Sequence, residues 1–195
     1  MVYTKTESII LAGIDVLNYA SSSIGGAYKD RARSSPLLKL MIDSKRLGEK
    51  TSLGFYKYDS TGKRLPDVEG LEGLLSQARK IAGSPSPLNY TDKEIAEACL
   101  FNAVNEACRV IEEKLVFRVS DIDVASVMGM GFMHFYGGLM KWAEEYGAKY
   151  VHDQLLKFYQ DSNGEIVSFK PCKYLTECAN NNLSLYSADA QLMKQ

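Results

Sequence analysis

The sequence predicts an all-α protein, and three observations lead to that fold class. Apolar residues recur every three or four positions in most segments of the chain, which is the spacing of one helix face. Capping signals precede several of these segments. Only one short stretch has the character of a strand, so we predict about seven helices and one extended segment.

The N-terminal part of the chain contains three helical segments and the extended stretch. Residues 7–29 form a weak helical pattern that loosens at SSSIGGA, and a short helix follows with Pro36 in its first turn and Gly48 at its end. The extended stretch GFYKYDSTGKRLPD has a turn at residues 60–62. Residues 68–83 then have the spacing of an amphipathic helix.

A proline-containing segment divides the chain into two regions. SPSPLNY predicts a linker over residues 85–90, between a region of residues 1–84 and a region of residues 91–195. The strongest helix opens the second region, where Thr91 and Glu94 form a T-x-x-E capping box. The predicted apolar face of this helix consists of Ile95, Cys99, Ala103, Ala107 and Val110.

The rest of the second region is also predicted to be helical. One helix starts at SDIDVASVM, with Ser120 as its cap and two aspartates in the first turn, where the helix dipole favours negative charge. GGLMKWAEEYG and AKYVHDQLLKFYQDSNG predict two more helices, and Asn163-Gly164 ends the second of them. A last short helix is predicted to begin near Pro171.

The composition excludes several classes of protein. The net charge is −1, from 23 basic and 24 acidic residues, so we expect no nucleic-acid interface. No apolar run approaches the roughly 20 residues of a membrane span. The four cysteines form no C-x-x-C pair and there are two histidines, so we expect no metal site. Cys99 and Cys108 fall in a helical pattern and are predicted to be small core residues.

The glycine- and aromatic-rich stretch VMGMGFMHFYGGLMKW raises the question of a nucleotide site. Gly129-Met130-Gly131 begins like the dinucleotide fingerprint G-x-G-x-x-G, but His134 occupies the third glycine position and no strand precedes it. The fingerprint works because a strand leads through a tight turn into a helix N-terminus that meets the pyrophosphate. We therefore predict no nucleotide loop and no cofactor site.

Three segments together resemble one enzyme family. RLGEKTSLGFYKYD resembles the G-x-K-T-x-x-G-F-Y-x-Y signature that closes the helical domain of 3-hydroxyacyl-CoA dehydrogenases. LFNAVNEACRVIEEKLVFRVSDIDVASVMGMGF followed by GGLMKWAEEYGAKYV resembles the second helical repeat of the peroxisomal fatty-acid β-oxidation multifunctional proteins, and SFKPCKYLTE resembles their C-terminal end. The resemblance covers residues 9–186 and is greatest to plant-type members.

This resemblance implies two truncated pseudo-repeats of the dehydrogenase C-terminal helical domain. Hydride transfer in the family needs a Rossmann domain with an NAD loop and a histidine–glutamate pair, and these, like the hydratase domain, have no counterpart in the 195 residues. We therefore expect no autonomous NAD-dependent activity and no cofactor. The chain also departs from the family's G-F-P-P-Y-R-G-G, because Met133, His134 and Tyr136 replace two prolines and an arginine.

These replacements supply the candidate catalytic residues. His134 is a candidate general acid or base because histidine is the usual residue for that role, Tyr136 follows two residues later, and Lys141 is a weaker candidate on the next helix. The alternative is that His134 lies beside a helix crossing at which glycines let two backbones approach closely. The glycines in question are Gly129, Gly131, Gly137 and Gly138.

Four other residues are weaker candidates for substrate binding. Asn102 and Glu106 share a helix face with Arg109, and this polar cluster either ties the repeats together or lines a pocket between them. Trp142 is predicted to be a core or interface aromatic, with the alternative that it walls an apolar ligand site. Met133 is included because it neighbours His134.

The leading hypothesis for function is a free-standing helical domain that binds an acyl-CoA-like or other apolar ligand, or a protein partner. One alternative is a repurposed enzyme that performs cofactor-free cyclisation, isomerisation or condensation around His134 and Tyr136. Another is an excised piece of a full β-oxidation enzyme.

Assembly and compartment follow from the same resemblance. A homodimer is predicted, because a first repeat without its opening helix would leave an apolar groove to cover. The expected compartment is the cytoplasm or the peroxisome. The final residues Met193, Lys194 and Gln195 do not form an S-K-L-type peroxisomal address.

Overall fold

Eight α-helices and one small antiparallel sheet make up the described chain, which confirms the predicted all-α class. The computed structural model describes residues 13–28, 31, 35–83 and 89–188. The helices are α1 Ile14–Ala27, α2 Pro36–Asp43, α3 Val68–Ile81, α4 Asp92–Glu112, α5 Val119–Met130, α6 Leu139–Tyr146, α7 Ala148–Asp161 and α8 Lys173–Asn180. The strands are β1 Tyr56–Tyr58 and β2 Arg64–Pro66, and short 3-10 helices cover Glu49–Thr51, His134–Tyr136 and Val167–Phe169.

The chain divides into two compact units, Met1–Asn89 and Tyr90–Gln195. The first unit contains α1 to α3 and the sheet, and the second contains α4 to α8. Most of the predicted linker and the start of the predicted helix over residues 7–29 lie outside the described residues. The two pseudo-repeats remain a prediction.

The serine- and glycine-rich end of α1 is helical, although the sequence predicts that it loosens. α1 continues through SSSIGGA to Ala27. The hydroxyls of Ser22 and Ser23 donate to the carbonyls of Asn18 and Tyr19, at 2.8 and 3.2 Å. Because these bonds follow the helical i→i−4 geometry, the serines fit within the helix instead of ending it.

The second helix begins as predicted and ends earlier than predicted. Pro36 occupies its first turn, and the Ser35 side chain caps it by accepting a backbone N–H. The helix ends at Asp43, because Lys45 takes a left-handed conformation with φ of 56°. Gly48, the predicted terminus, instead begins the short turn that leads to the sheet.

The predicted extended stretch forms a β-hairpin. β1 pairs antiparallel with β2, and Tyr58 lies opposite Arg64. In the connecting turn the Asp59 carboxylate accepts the N–H groups of Thr61 and Lys63 at 2.8 and 3.0 Å. This side-chain turn confirms the prediction of an extended segment interrupted near residues 60–62.

A buried ion cluster fixes the hairpin within the first unit. Arg46 donates to the Gly54 carbonyl at 3.0 and 2.8 Å and to Asp67 at 2.6 Å. Lys57 lies 2.7 Å from the other oxygen of Asp67, and the two cations hold the pKa of that carboxyl below its usual value. A Cβ atom at Gly54 would lie 2.8 Å from the Cα of Gly48, so this part of the signature segment has a packing role.

Helix α4 forms the centre of the second unit. Its predicted capping box is confirmed: the Thr91 hydroxyl accepts the Glu94 N–H at 3.3 Å, and the Glu94 carboxylate accepts the Thr91 N–H at 2.9 Å. The helix packs against α6, α7 and α8. Its largest buried apolar side chains are Phe101, Val104, Cys108 and Ile111.

The predicted apolar face of α4 is partly wrong. Ile95 is 50% exposed and Cys99 is exposed, whereas Cys108 is buried as predicted. Apolar residues occupy two sides of α4, and the side with the larger side chains faces the core. Three- and four-residue spacing alone does not distinguish the two sides.

The predicted cap of α5 is also wrong. The helix begins at Val119, so Ser120 lies inside it and Arg118 is the N-cap residue. The Asp121 carboxylate accepts the backbone N–H of Arg118 at 3.0 Å and lies 3.2 Å from its guanidinium. Asp121 therefore caps the N-terminus of α5 from a position inside its first turn.

α7 ends, and α8 begins, close to the predicted positions. α7 ends at Asp161, and Asn163 and Gly164 follow with φ of 51° and 75°, as expected for left-handed residues after a helix. α8 starts at Lys173, two residues after the predicted Pro171.

Candidate functional site

The glycine- and aromatic-rich stretch connects two helices. α5 ends at Met130, Gly131 follows as its C-cap with φ of 66°, and the Phe132 N–H donates back to the Ser126 carbonyl at 3.0 Å. The 3-10 helix His134–Tyr136 follows, and α6 begins after Gly138. Since a helix and not a strand enters this stretch, its geometry differs from that of a nucleotide-binding loop.

Only one glycine of this stretch allows a close approach of two helices. A Cβ atom at Gly138 would lie 2.3 Å from the Cβ of Asp123 and 2.6 Å from its Cα, so α5 leaves no room for a side chain there. Around Gly129 and Gly131, by contrast, nothing lies within 4 Å of an added Cβ. The crossing of α5 and α6 therefore depends on Gly138.

Side chains of α5 cap the N-terminus of α6 at this crossing. The Asp123 carboxylate accepts the N–H groups of Met140 and Lys141 at 2.8 and 3.1 Å, and the Ser126 hydroxyl accepts the Leu139 N–H at 3.0 Å. Gly138, the N-cap residue of α6, has no side chain to do this. The hydroxyl of Tyr186 donates to the second oxygen of Asp123.

Asp123 is one of the two aspartates predicted for the first turn of this helix, and the sequence does not predict its capping role. Asp123 and Ser126 are 6% and 2% exposed, and they lie three residues apart on one helix face. Two polar residues at helical spacing within a largely apolar segment were the available signal, because buried polar groups require partners.

The three candidate catalytic residues lie at the surface. His134 and Lys141 are exposed, and Tyr136 is 37% exposed, with its ring centre 4.6 Å from that of Phe135. His134 and Tyr136 share one 3-10 turn, and the Lys141 side chain passes close to Gly137 at the end of that turn. The three residues are thus close along the chain and lie on an exposed connection. Their catalytic role remains a prediction.

The polar cluster of α4 centres on Asn105. This side chain is fully buried, donates to the carbonyls of Ser168 and Lys170 at 2.9 and 2.8 Å, and accepts the Cys172 N–H at 2.9 Å. Arg109 donates to the same Lys170 carbonyl at 2.8 Å. The cluster therefore holds the segment before α8 against α4.

The four candidate substrate-binding residues are dispersed over the second unit. Asn102 and Glu106 are half-buried on α4, and Glu106 pairs with Arg109 at 3.1 Å. Trp142 is 8% exposed in the core, 5.6 Å from the Phe101 ring centre. Met133 is half-buried at the start of the 3-10 turn.

A cavity of about 560 Å³ opens at the junction of α6 and α7. The rings of Tyr146 and Tyr150 stack along it with their centres 5.8 Å apart. Gly147 is both the C-cap residue of α6 and the N-cap residue of α7. Because it has no side chain to accept a hydrogen bond, the first backbone N–H groups of α7 have no capping partner. The opposite wall includes Cys178 and Leu183.

No local sequence pattern predicts this cavity. The cavity forms because a helix-to-helix junction at one glycine meets the turn after α8, which lies far away in sequence. That long separation left no local signal.

Three cysteines lie buried near the α4–α8 contact. A hydrogen bond with Cys172, and then burial, raise the pKa of the Cys108 thiol, and burial raises that of Cys178. These shifts favour the protonated form of Cys108 and Cys178 at neutral pH. In the described ranges, no three or more histidine, cysteine or acidic side chains are grouped as metal ligands would be. Nor does any described helix combine the length and apolar character of a membrane span.

Comparison with known proteins identifies relatives for nearly the whole chain. Residues 6–58 match the family model of the 3-hydroxyacyl-CoA dehydrogenase C-terminal domain. The chain is 39% identical over 170 residues to the peroxisomal fatty acid beta-oxidation multifunctional protein AIM1 of Arabidopsis thaliana. This alignment covers 86% of this chain and 23% of the relative.

Two further plant proteins are similar to the same extent. They are the peroxisomal fatty acid beta-oxidation multifunctional protein MFP2 of Arabidopsis thaliana, at 37% identity, and the glyoxysomal fatty acid beta-oxidation multifunctional protein MFP-a of Cucumis sativus, at 38%. Each alignment covers 90% of this chain and 24% of the relative. The chain thus spans about a quarter of the length of these relatives.

Proposed function

We propose that the chain, of which residues 6–58 match the family model of the 3-hydroxyacyl-CoA dehydrogenase C-terminal domain, is a binding domain for acyl-CoA-like ligands that does not itself carry NAD-dependent chemistry. In this proposal the helical domain contributes contacts to a substrate, and hydride transfer requires a nucleotide site, for which the sequence has no G-x-G-x-x-G fingerprint. Peroxisomal and glyoxysomal proteins are its relatives, so we place its work in fatty-acid β-oxidation within such an organelle.

One observation supports the proposal that the chain does not bind NAD. The only stretch that begins like a dinucleotide fingerprint, at Gly129, is the end of a helix, and Gly131 caps that helix in the left-handed conformation. Phosphate binding by the fingerprint requires backbone N–H groups at the start of a helix that follows a strand. A helix C-terminus presents carbonyl oxygens, which repel phosphate.

The cavity beside α7 is where we place the ligand. Its volume, about 560 Å³, falls within the usual range of small-molecule pockets, which is about 300–1,000 Å³. The stacked Tyr146 and Tyr150 supply an aromatic wall for apolar groups. The uncapped N–H groups of α7 supply donors for a carbonyl or phosphate oxygen.

Fluorescence of the chain's single tryptophan provides a test. The ring centre of Trp142 lies 4.9 Å from that of Tyr146, so occupation of the cavity should change its emission. We expect saturable quenching on titration with octanoyl-CoA. Tyr146→Ala removes part of the cavity wall and should weaken binding by at least about tenfold.

Tyr136→Ala is the matched control for this experiment. Tyr136 is 37% exposed and Tyr146 is 40% exposed, but Tyr136 lies on the 3-10 turn and not in the cavity wall. The control should bind octanoyl-CoA as the unmodified chain does. Equal loss of binding in both variants, or no saturable change in the unmodified chain, would exclude this cavity as the site.

A further inference from the structure

A buried carboxylate on α4 is hydrogen-bonded to a tyrosine of the cavity wall. Glu97 is 4% exposed, although it is an acidic residue. The Tyr150 hydroxyl donates to its carboxylate at 3.0 Å, and the Lys93 ammonium lies 3.4 Å from the same oxygen. Because a buried carboxylate needs partners of this kind, Glu97 and the Tyr150 hydroxyl hold each other in place.

This hydrogen bond determines what Tyr150 can offer to a ligand. A tyrosine hydroxyl has one hydrogen to donate, and here Glu97 receives it. The hydroxyl also accepts a hydrogen bond from Lys93 at 3.3 Å. The residues that line the cavity come from α6, α7, α8 and the turn after α8, whereas Glu97 and Lys93 lie on α4. Tyr150 therefore contributes its ring to the cavity and has no proton to donate to a ligand oxygen.

Two neighbouring rings fix the plane of the Tyr150 ring. The Tyr146 ring is inclined to it by 26°, with its centre 5.8 Å away. The Phe101 ring meets it nearly at a right angle, with its centre 6.0 Å away. Since Glu97 holds the hydroxyl as well, the ring is a preformed flat surface. A flexible apolar chain can bind against such a surface without a cost for ordering the protein side chain.

The charged side chains of the cavity already have partners within the protein. Glu144 accepts the Leu185 N–H at 2.8 Å, and Asp153 lies 2.9 Å from the Lys149 ammonium. An apolar group in the cavity would therefore leave these charges paired. Because Leu183 adds apolar surface to the lining, this combination favours a hydrocarbon chain over a charged group as the occupant.

We infer that the cavity receives the acyl chain of its ligand against the Tyr150 ring, and that Glu97 is the positioning residue that holds this ring. The inference rests on the proposed function, because it assigns one part of an acyl-CoA-like ligand to the cavity. It adds selection by chain length, since each methylene group that is buried strengthens binding by up to roughly fourfold.

Fluorescence titration with butanoyl-, hexanoyl- and octanoyl-CoA tests the inference. In the unmodified chain the affinity should rise with chain length. Tyr150→Phe keeps the ring and removes the hydroxyl, so the ring loses its bond to Glu97. Because the ring must then be ordered on binding, octanoyl-CoA should bind roughly two- to tenfold more weakly, and butanoyl-CoA should change less.

Variants of Glu97 separate positioning of the ring from folding of the chain. Glu97→Ala removes the acceptor and should reproduce the Tyr150→Phe result, and the double variant should show no further loss. Glu97→Gln keeps an oxygen that can accept from the Tyr150 hydroxyl and should keep the chain-length dependence. Melting temperatures identify the folded variants. If Glu97→Ala does not fold, Tyr150→Phe and Glu97→Gln decide the outcome.

Tyr90→Phe is the matched control, because the Tyr90 hydroxyl also donates to a carboxylate, that of Asp161 at 2.7 Å, and Tyr90 does not line the cavity. It should bind all three thioesters as the unmodified chain does. A loss of equal size at every chain length, or an affinity of the unmodified chain that does not rise with chain length, would overturn the inference and leave the proposed function intact. A lack of saturable octanoyl-CoA binding by the unmodified chain would overturn both.

Discussion

Gly138 is the residue on which the contact between α5 and α6 depends. Its φ of 118° is unfavourable for residues with a side chain, and Asp123 occupies the space that a Cβ atom would need. At the same crossing Asp123 takes over the capping of α6. The candidate catalytic residue His134 is exposed nearby, so the sensitive positions for folding are Gly138 and Asp123.

Substitution of two glycines distinguishes a tight position from an open one. Gly138→Ala should lower the free energy of unfolding by at least about 1–3 kcal/mol, because the added methyl group overlaps Asp123. Gly129→Ala should raise it by about 0.5–1 kcal/mol, because Gly129 lies within α5 with open space around it. Urea denaturation measures both. Equal effects of the two substitutions would contradict the account of the crossing.

Elements with local signals could be predicted from the sequence, and those defined by distant contacts could not. The Thr91–Glu94 box and the hairpin turn at Asp59 each depend on residues within four positions, and both were predicted. Asn105 binds backbone atoms more than 60 residues away, and local pattern does not reveal such partners. The core side of α4 was misassigned for the same reason, since the packing of other helices selects it.

The start of α4 should make stability depend on pH. The Lys157 ammonium and the N–H and hydroxyl groups of Thr91 donate to the Glu94 carboxylate and lower its pKa from 4.5 to about 2. Because the folded-state pKa is depressed, this contribution is complete above the unfolded-state value and is lost as the pH falls towards the folded-state value. Stability should therefore decrease between about pH 5 and pH 2.

Glu94→Gln removes the titrating carboxylate at this position. Thermal melting from neutral to acidic pH should show a smaller decrease for this variant than for the unmodified chain. Asp92→Asn, on the exposed first turn of the same helix, is the control and should keep the decrease. An unchanged pH profile in Glu94→Gln would show that Glu94 contributes no pH-dependent stability.

For the whole molecule, the described chain consists of two helical units without a strand-fed nucleotide loop. It spans about a quarter of the multifunctional β-oxidation proteins that it resembles. Sequence motifs were sufficient to predict the all-α class and the resemblance to the 3-hydroxyacyl-CoA dehydrogenase C-terminal domain, whose family model matches residues 6–58. The cavity beside α7 required the three-dimensional structure, since it combines residues from separate elements.

Isothermal titration of the same protein sample with octanoyl-CoA and then with NADH tests the central claim most directly. The account predicts saturable heat with octanoyl-CoA and only heat of dilution with NADH, because the glycine stretch at residue 129 ends a helix and cannot cradle a pyrophosphate. A dehydrogenase that binds NADH serves as the positive control. Saturable binding of NADH at micromolar concentration by these 195 residues would contradict the claim.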